Sequence, residues 1–195
     1  MAVTQTNVIS GITSIHWIKD STYAAANNWN GDPAAAFAAE SPTDVGYISG
    51  PATLEYSSEQ EKIDVEQDTF PIKHLLKAEV VTIKFNIAEA ALASMQLGVA
   101  GMATPSGTVA VFGPVSSGSA ASTIHHYAIR ITATGPSTNI VRRVIACKAY
   151  ATGNMGVSYT KSGIQMIPVE FSVVRVQEAT GGDLAPSVWI VDSAS

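Results

Sequence analysis

The sequence predicts a mainly β protein, an antiparallel β-sandwich or open barrel with one short α-helix and an extended N-terminal arm. Three observations carry this. Residues 80–87 alternate Val81, Ile83, Phe85 and Ile87 with Val80, Thr82, Lys84 and Asn86, the period of a strand with one buried face. Runs 122–133 and 139–151 are long, rich in β-branched residues and joined only by Thr134-Gly135-Pro136-Ser137-Thr138, a hairpin connection. Residues 163–176 place Ile167, Val169, Phe171 and Val173 on one face. With 195 residues the chain suits one domain with a real core.

The chain divides at residue 42. Within 1–42, Ile15-His16-Trp17-Ile18 has short-strand character, and an Ala-, Asn- and Gly-rich segment follows. There, Asp32 as cap and Pro33 at the first helical position start about two helical turns over 34–40. So short a helix is marginal alone in water and needs a surface, on its own domain or on a neighbour. Residues 43–195 form the β-domain. Residues 44–56 read as two strands split by a turn at Ser49-Gly50-Pro51.

Residues 55–68 then carry six carboxylates, Glu55, Glu59, Glu61, Asp64, Glu66 and Asp68, against one base, Lys62. That excess of five equals the formal net charge of the whole chain, −5. As a strand the run has no cleanly apolar face. It is either a solvated edge hairpin whose charges block aggregation or the lining of a polar channel. At 68–77, Pro71 breaks the pattern and leaves Phe70, Ile72, Leu75 and Leu76 beside charges, so a loop is expected with something to bury them.

After the strand at 80–87, Asn86-Ile87-Ala88-Glu89 has capping-box spacing. A helix is expected over about 87–98, with Ala88, Leu92, Met95 and Val99 as its apolar stripe and Gly98 near its end. The Gly- and Ser-rich stretch 101–121 reads as a loop with a short strand at 108–112. Pro168 removes a ladder donor, which predicts an edge or a bulge in its strand. Ser187-Val188-Trp189-Ile190-Val191-Asp192 is the expected terminal strand.

Charged residues make up 14% of the chain against a typical quarter, so a monomer would have little polar surface to present. Either copies bury one another or this is an ordinary Ala- and Val-rich β-domain. Apart from Arg142-Arg143 the bases are dispersed, which argues against a phosphate-gripping nucleic-acid clamp. The N-terminus has no secretory pattern and no window of ~20 apolar residues exists, so neither export nor a membrane span is expected.

Chemistry is not signalled. His125 and His126 are neighbours on an expected strand and point to opposite faces, and Cys147 lies in an apolar run without an activating partner. No nucleophile elbow, phosphate loop or zinc-helix motif is present. The sequence therefore predicts no catalytic residues, no metal ligands, no cofactor and no enzyme.

The order Asp44-Val45-Gly46-Tyr47-Ile48, Ile63-Asp64-Val65-Glu66-Gln67-Asp68, Glu79-Val80-Val81-Thr82-Ile83-Lys84-Phe85 and Ala88-Glu89 resembles the major tail tube protein of long-tailed, non-contractile bacteriophages. The patch 161–171 resembles that family's late strand, and together these stretches span roughly half the chain. The resemblance implies a structural virion protein of the phage tail, assembled in the host cytoplasm. Its hexameric rings would stack around a tape-measure protein, end at a tail terminator, and pass DNA without sequence-specific binding. It further implies lumen-facing acids at Glu59, Glu61, Asp64 and Glu66, and an inter-ring loop at Asp68, Phe70, Pro71, Ile72, Leu75 and Leu76. The N-terminal arm would reach a neighbouring subunit through Trp17, Tyr23, Trp29 and Phe37. Two alternatives stand beside it: a carbohydrate- or ligand-binding β-sandwich with Trp17, Trp29 and Trp189 as stacking residues, or another virion or secretion tube ring of the same fold.

Overall fold

A computed structural model describes residues 3–9, 11–19, 37–39, 41–63, 73–88, 92–98, 124–135, 139–152, 166–174 and 187–194. They form nine strands, all paired antiparallel: β1 Val3–Ile9, β2 Ile12–Lys19, β3 Thr43–Asp44, β4 Ile48–Ile63, β5 Lys73–Ile87, β6 Tyr127–Thr134, β7 Ile140–Ala151, β8 Ile167–Val173 and β9 Val188–Ala194. The sheet runs β1-β4-β5-β8-β7-β6-β2-β3, and β9 pairs with β7 off this path. The expected mainly β, antiparallel class is the class observed.

One face of every central strand points into a shared core. Leu54, Ile83, Phe85, Ile87, Val169 and Phe171 from the β4-β5-β8 half meet Ile15, Trp17, Tyr127, Ile129, Ile131 and Val144 from the β2-β6-β7 half. A single sheet can bury one face against itself only by rolling over, so the two halves form the layers of an open barrel. Segment 43–48 ties the layers together: Val45 donates to Ile15 O of β2, and Ala88 at the end of β5 donates to Tyr47 O. Aromatic rings fill the middle, with Tyr127 edge-on to both Trp17 and Phe171 at 5.8 Å and Phe85 stacked on Phe171 at 6.1 Å.

β7 bends where it changes partner. Tyr127 of β6 pairs with Ala149 while Ile129 pairs with Ala146, so β7 holds one extra residue there. Such a bulge twists a strand. Before it, residues 140–146 pair with β9; after it, residues 149–151 pair with β8. β8 and β9 thus share one edge of β7 in succession. Pro168 lies on the stretch of β8 whose register partners are on β5 alone, which suits a residue without a donor.

Several boundaries differ from expectation, and in each case strand pairing outweighs the local signal. Residues 3–19, expected in the arm, supply β1 and β2; alternation of Ile15 and Trp17 buries both in the core. Gly50-Pro51 is not a turn between strands but an irregularity inside β4, with Gly50 at φ 79°, where the register against β5 slips between Ser49 and Thr53. The helix does not begin at Ile87. Asn86 and Ile87 are β5 residues paired with Pro168 and Ile167, and burying Ile87 outweighs a local cap. The described helical residues are Leu92–Met95, followed by a 3-10 turn at Gln96–Gly98. This piece closes the core: Met95 and Leu97 are buried, Ser94 Oγ donates to Val45 O, and Tyr127 OH donates to Gln96 O.

The β6–β7 turn is tight. Gly135 N donates to Ile140 O, and a Cβ on Gly135 would lie 2.5 Å from the Ile140 side chain, so glycine is required there. His125 and His126 precede β6 rather than lying in a strand. The strand expected at 108–112 lies outside the described residues.

Candidate assembly surface

β4 and β5 outrun their neighbours. β1 covers β4 only through Ser58, and β8 covers β5 only from Val81 onward. Beyond those points the two strands pair only with each other among the described residues, from Glu59↔Ala78 to Ile63↔Lys73. They form a two-stranded ribbon projecting from the rolled sheet. The expected loop at 68–77 is therefore strand from residue 73, because its backbone completes the ladder with β4.

A bulge sets the faces of the ribbon. Glu59 pairs with Ala78 but Gln60 with Leu76, which leaves Lys77 as the extra residue. Ala52, Leu54 and Ser58 are buried and continue the core-side row. Register then puts Tyr56, Glu79, Val81 and Leu76 on that inner side. Glu55, Glu59, Glu61, Leu75 and Val80 lie on the outer side. Ion pairs organise the outer side: Lys77 Nζ lies 3.2 Å from Glu61, and Lys84 Nζ lies 3.0 Å from Glu55 and 3.8 Å from Glu170. The carboxylate of Glu55, with Glu170 helping, holds the Lys84 ammonium above its ordinary pKa. On the inner side Tyr56 OH donates to Glu79 Oε1 at 2.5 Å, which pushes the phenol up.

Leu75, Leu76 and Val80 are 40–54% exposed, and Tyr56 is 37% exposed. Exposed aliphatic groups on both faces of one element earn a monomer nothing. A cleft of about 680 Å³ opens on the inner side, where the ribbon parts from the end of β8 and the start of β9.

Of the expected acids, Glu59 and Glu61 share the outer side of β4 and are exposed, while Asp64 and Glu66 lie outside the described residues. Of the expected inter-ring residues, Leu75 and Leu76 are exposed on β5, and Asp68, Phe70, Pro71 and Ile72 lie outside the described residues. Two of the four arm residues turn inward. Trp17 is in the core, and Phe37 is fully buried with the Arg130 guanidinium 4.9 Å from its ring centre. Neither side chain is free to reach another copy, because each is worth more buried in its own domain. Tyr23 and Trp29 lie outside the described residues. Sequence reasoning missed Tyr56, Val173 and Val188. Tyr56 was within reach, since it extends the alternation of Ala52 and Leu54; Val173 and Val188 meet only through the splitting of β7.

Among the described residues no three His, Cys, Asp or Glu side chains gather as metal ligands, and no helix is long and apolar enough to cross a membrane. Cys147 is buried, and burial pushes its thiol far above the usual range. No protein-family profile matches the sequence, and no curated protein is significantly similar to it.

At the far edge, Asp44, His16 and Arg130 form one cross-strand row over β3, β2 and β6. Burial, then Arg130, lowers the His16 pKa from 6.5, with Asp44, its Oδ2 3.9 Å from Nε2, opposing. The unfolded chain therefore takes up this proton first. Stability should fall as pH drops below about 6.5 and level off once pH is under the lowered native value. Urea midpoints across that window should vary less in His16→Asn than in the parent; equal pH dependence in both would refute the assignment.

Proposed function

We propose that the chain is the repeating subunit of a phage-type tail tube, a structural protein whose copies join into rings that stack into a hollow tube passing DNA. The observation that carries this reading is the β4–β5 ribbon, which leaves the domain bearing exposed apolar residues on both faces. Two further features support it. β1 and β3 end the sheet with one strand neighbour each, and such edges accept a strand from another chain. The outer side of β4 and β5 also carries Glu55, Glu59, Glu61 and, beside them on β8, Glu170, against Lys77 and Lys84. An acidic wall repels phosphate, which suits a conduit better than a binding site. On this reading the tape-measure protein fills the tube before DNA does, a tail terminator ends it, and the mature protein resides in the virion without enzymatic activity.

The ligand-binding alternative loses one stacking platform, since Trp17 is enclosed between β6 and the core. Negative-stain electron microscopy and light scattering on concentrated protein test the proposal. Rings or hollow tubes are expected. A 20.3 kDa monomer at every concentration and salt, with no rings on the grid, would overturn it.

A further inference from the structure

The two apolar patches of the ribbon differ in shape as well as position. The inner one is concave: the cleft is walled by Tyr56, Leu76, Glu79 and Val81 on the ribbon and by Val173 and Val188 on β8 and β9. The outer one is a raised strand face carrying Leu75 and Val80, with Lys77 at the rim between the two sides. They lie on opposite faces of the same strands, so they cannot satisfy each other within one chain.

We infer that copies of this chain associate head to tail through the ribbon, the outer face of one copy, with Leu75 and Val80, seating in the inner cleft of the next. The inference rests on the self-assembly reading above and names its joint. Charge favours this pairing over like on like. The carboxylate in the cleft is Glu79, whereas the outer face brings Lys77, half exposed and held by Glu61 alone at 3.2 Å. Its ammonium can be shared between Glu61 of its own copy and Glu79 of the next. Cleft against cleft would instead oppose two Glu79 carboxylates, and outer face against outer face would oppose the acids Glu59 and Glu61. A contact between two different patches is heterologous. It propagates into a ring if the rotation closes and into a filament if it does not, and it never stops at a closed dimer. That is the behaviour a ring subunit requires.

Mixing tests this directly, using the full-length chain. Leu75→Glu/Val80→Glu spoils the outer face, and Tyr56→Ala/Leu76→Glu spoils the cleft. All four residues are exposed, so both variants should keep the parent circular dichroism and thermal midpoint. Sedimentation velocity should show each variant alone at the 20.3 kDa monomer mass, and an equimolar mixture as a 1:1 dimer and nothing larger. Each dimer has one intact face seated in one intact cleft, with spoiled surfaces outward. In a second arm, copies carrying Leu75→Cys are oxidised with copies carrying Leu76→Cys. Mixed disulfides should far outnumber same-variant ones.

Variants that assemble like the parent, a mixture that stays monomeric, or same-variant disulfides in equal yield would each overturn the inference. The outcomes also separate the two proposals. Parent rings with a failed mixing rule would remove this joint and leave the tube reading standing. A mixing rule that holds, with parent filaments lacking a lumen, would remove the tube and leave the joint.

Discussion

Replacing Phe171 by Ala should destabilise the folded chain by about 3–5 kcal/mol, the range for removing a fully buried aromatic side chain. Phe171 is 0% exposed, stacks on Phe85 and meets Tyr127 edge-on. Its strand has β5 on one side and the end of β7 on the other. It therefore stands where the two layers of the barrel meet, and no flexible neighbour is placed to refill the space. For a chain of this size the loss should lower the thermal midpoint by roughly 6–20 °C. Phe171→Leu, which keeps most of the volume, should cost clearly less. Thermal and urea unfolding of the three proteins read this out. A loss below about 1 kcal/mol for the Ala variant would mean that the site collapses freely and that the packed centre lies elsewhere.

Excising the ribbon should do the opposite: leave stability nearly untouched and abolish assembly. Joining Glu59 to Lys77 through Asn-Gly removes residues 60–76 and closes β4 onto β5 with a two-residue turn that fits the twist of a hairpin. Every core contact of β4 and β5 lies on the retained side, at Ala52, Leu54, Ile83, Phe85 and Ile87. The thermal midpoint of the monomer should stay within a few degrees of the parent, because surface changes away from the core are usually within about 0.5 kcal/mol. Rings and tubes should vanish from the grid. Tubes of parent length from this variant would remove the ribbon from the assembly mechanism; an unfolded variant would show that the ribbon belongs to the folding unit.

Much of the barrel was legible because its strands are buried on one face. Ile83, Phe85 and Ile87, Tyr127, Ile129 and Ile131, and Ile167, Val169 and Phe171 each alternate in sequence, and each trio is buried together. Period two is a local property, so it survives without knowledge of partners. The edge character expected of Pro168 was readable for the same reason, since a missing donor is a property of the residue itself. The helix start at Asn86 was misread because its capping signal is also local and weak, whereas what overrides it is pairing with β8 some eighty residues away. The ribbon was half legible. Its apolar residues and its acids were visible in the sequence, but its extended pairing was hidden by Pro71 and by the one-residue slip at Lys77.

By itself the sequence determined the chemical character of the protein: an antiparallel β chain, poor in charge, acidic where β4 ends, and without any arrangement of residues that signals catalysis. Composition and periodicity are properties of neighbours along the chain, and they suffice for that. Only the tertiary structure decided that β1 and β2 belong to the sheet, that Trp17 and Phe37 turn inward, and that β8 and β9 divide one edge of β7 between them. Only the fold, likewise, sets the inner cleft against the outer face of the ribbon. The reason is physical: a strand's hydrogen bonds are made to segments distant in sequence, so which edges are satisfied and which remain open is decided by the partners the rolled sheet brings beside them.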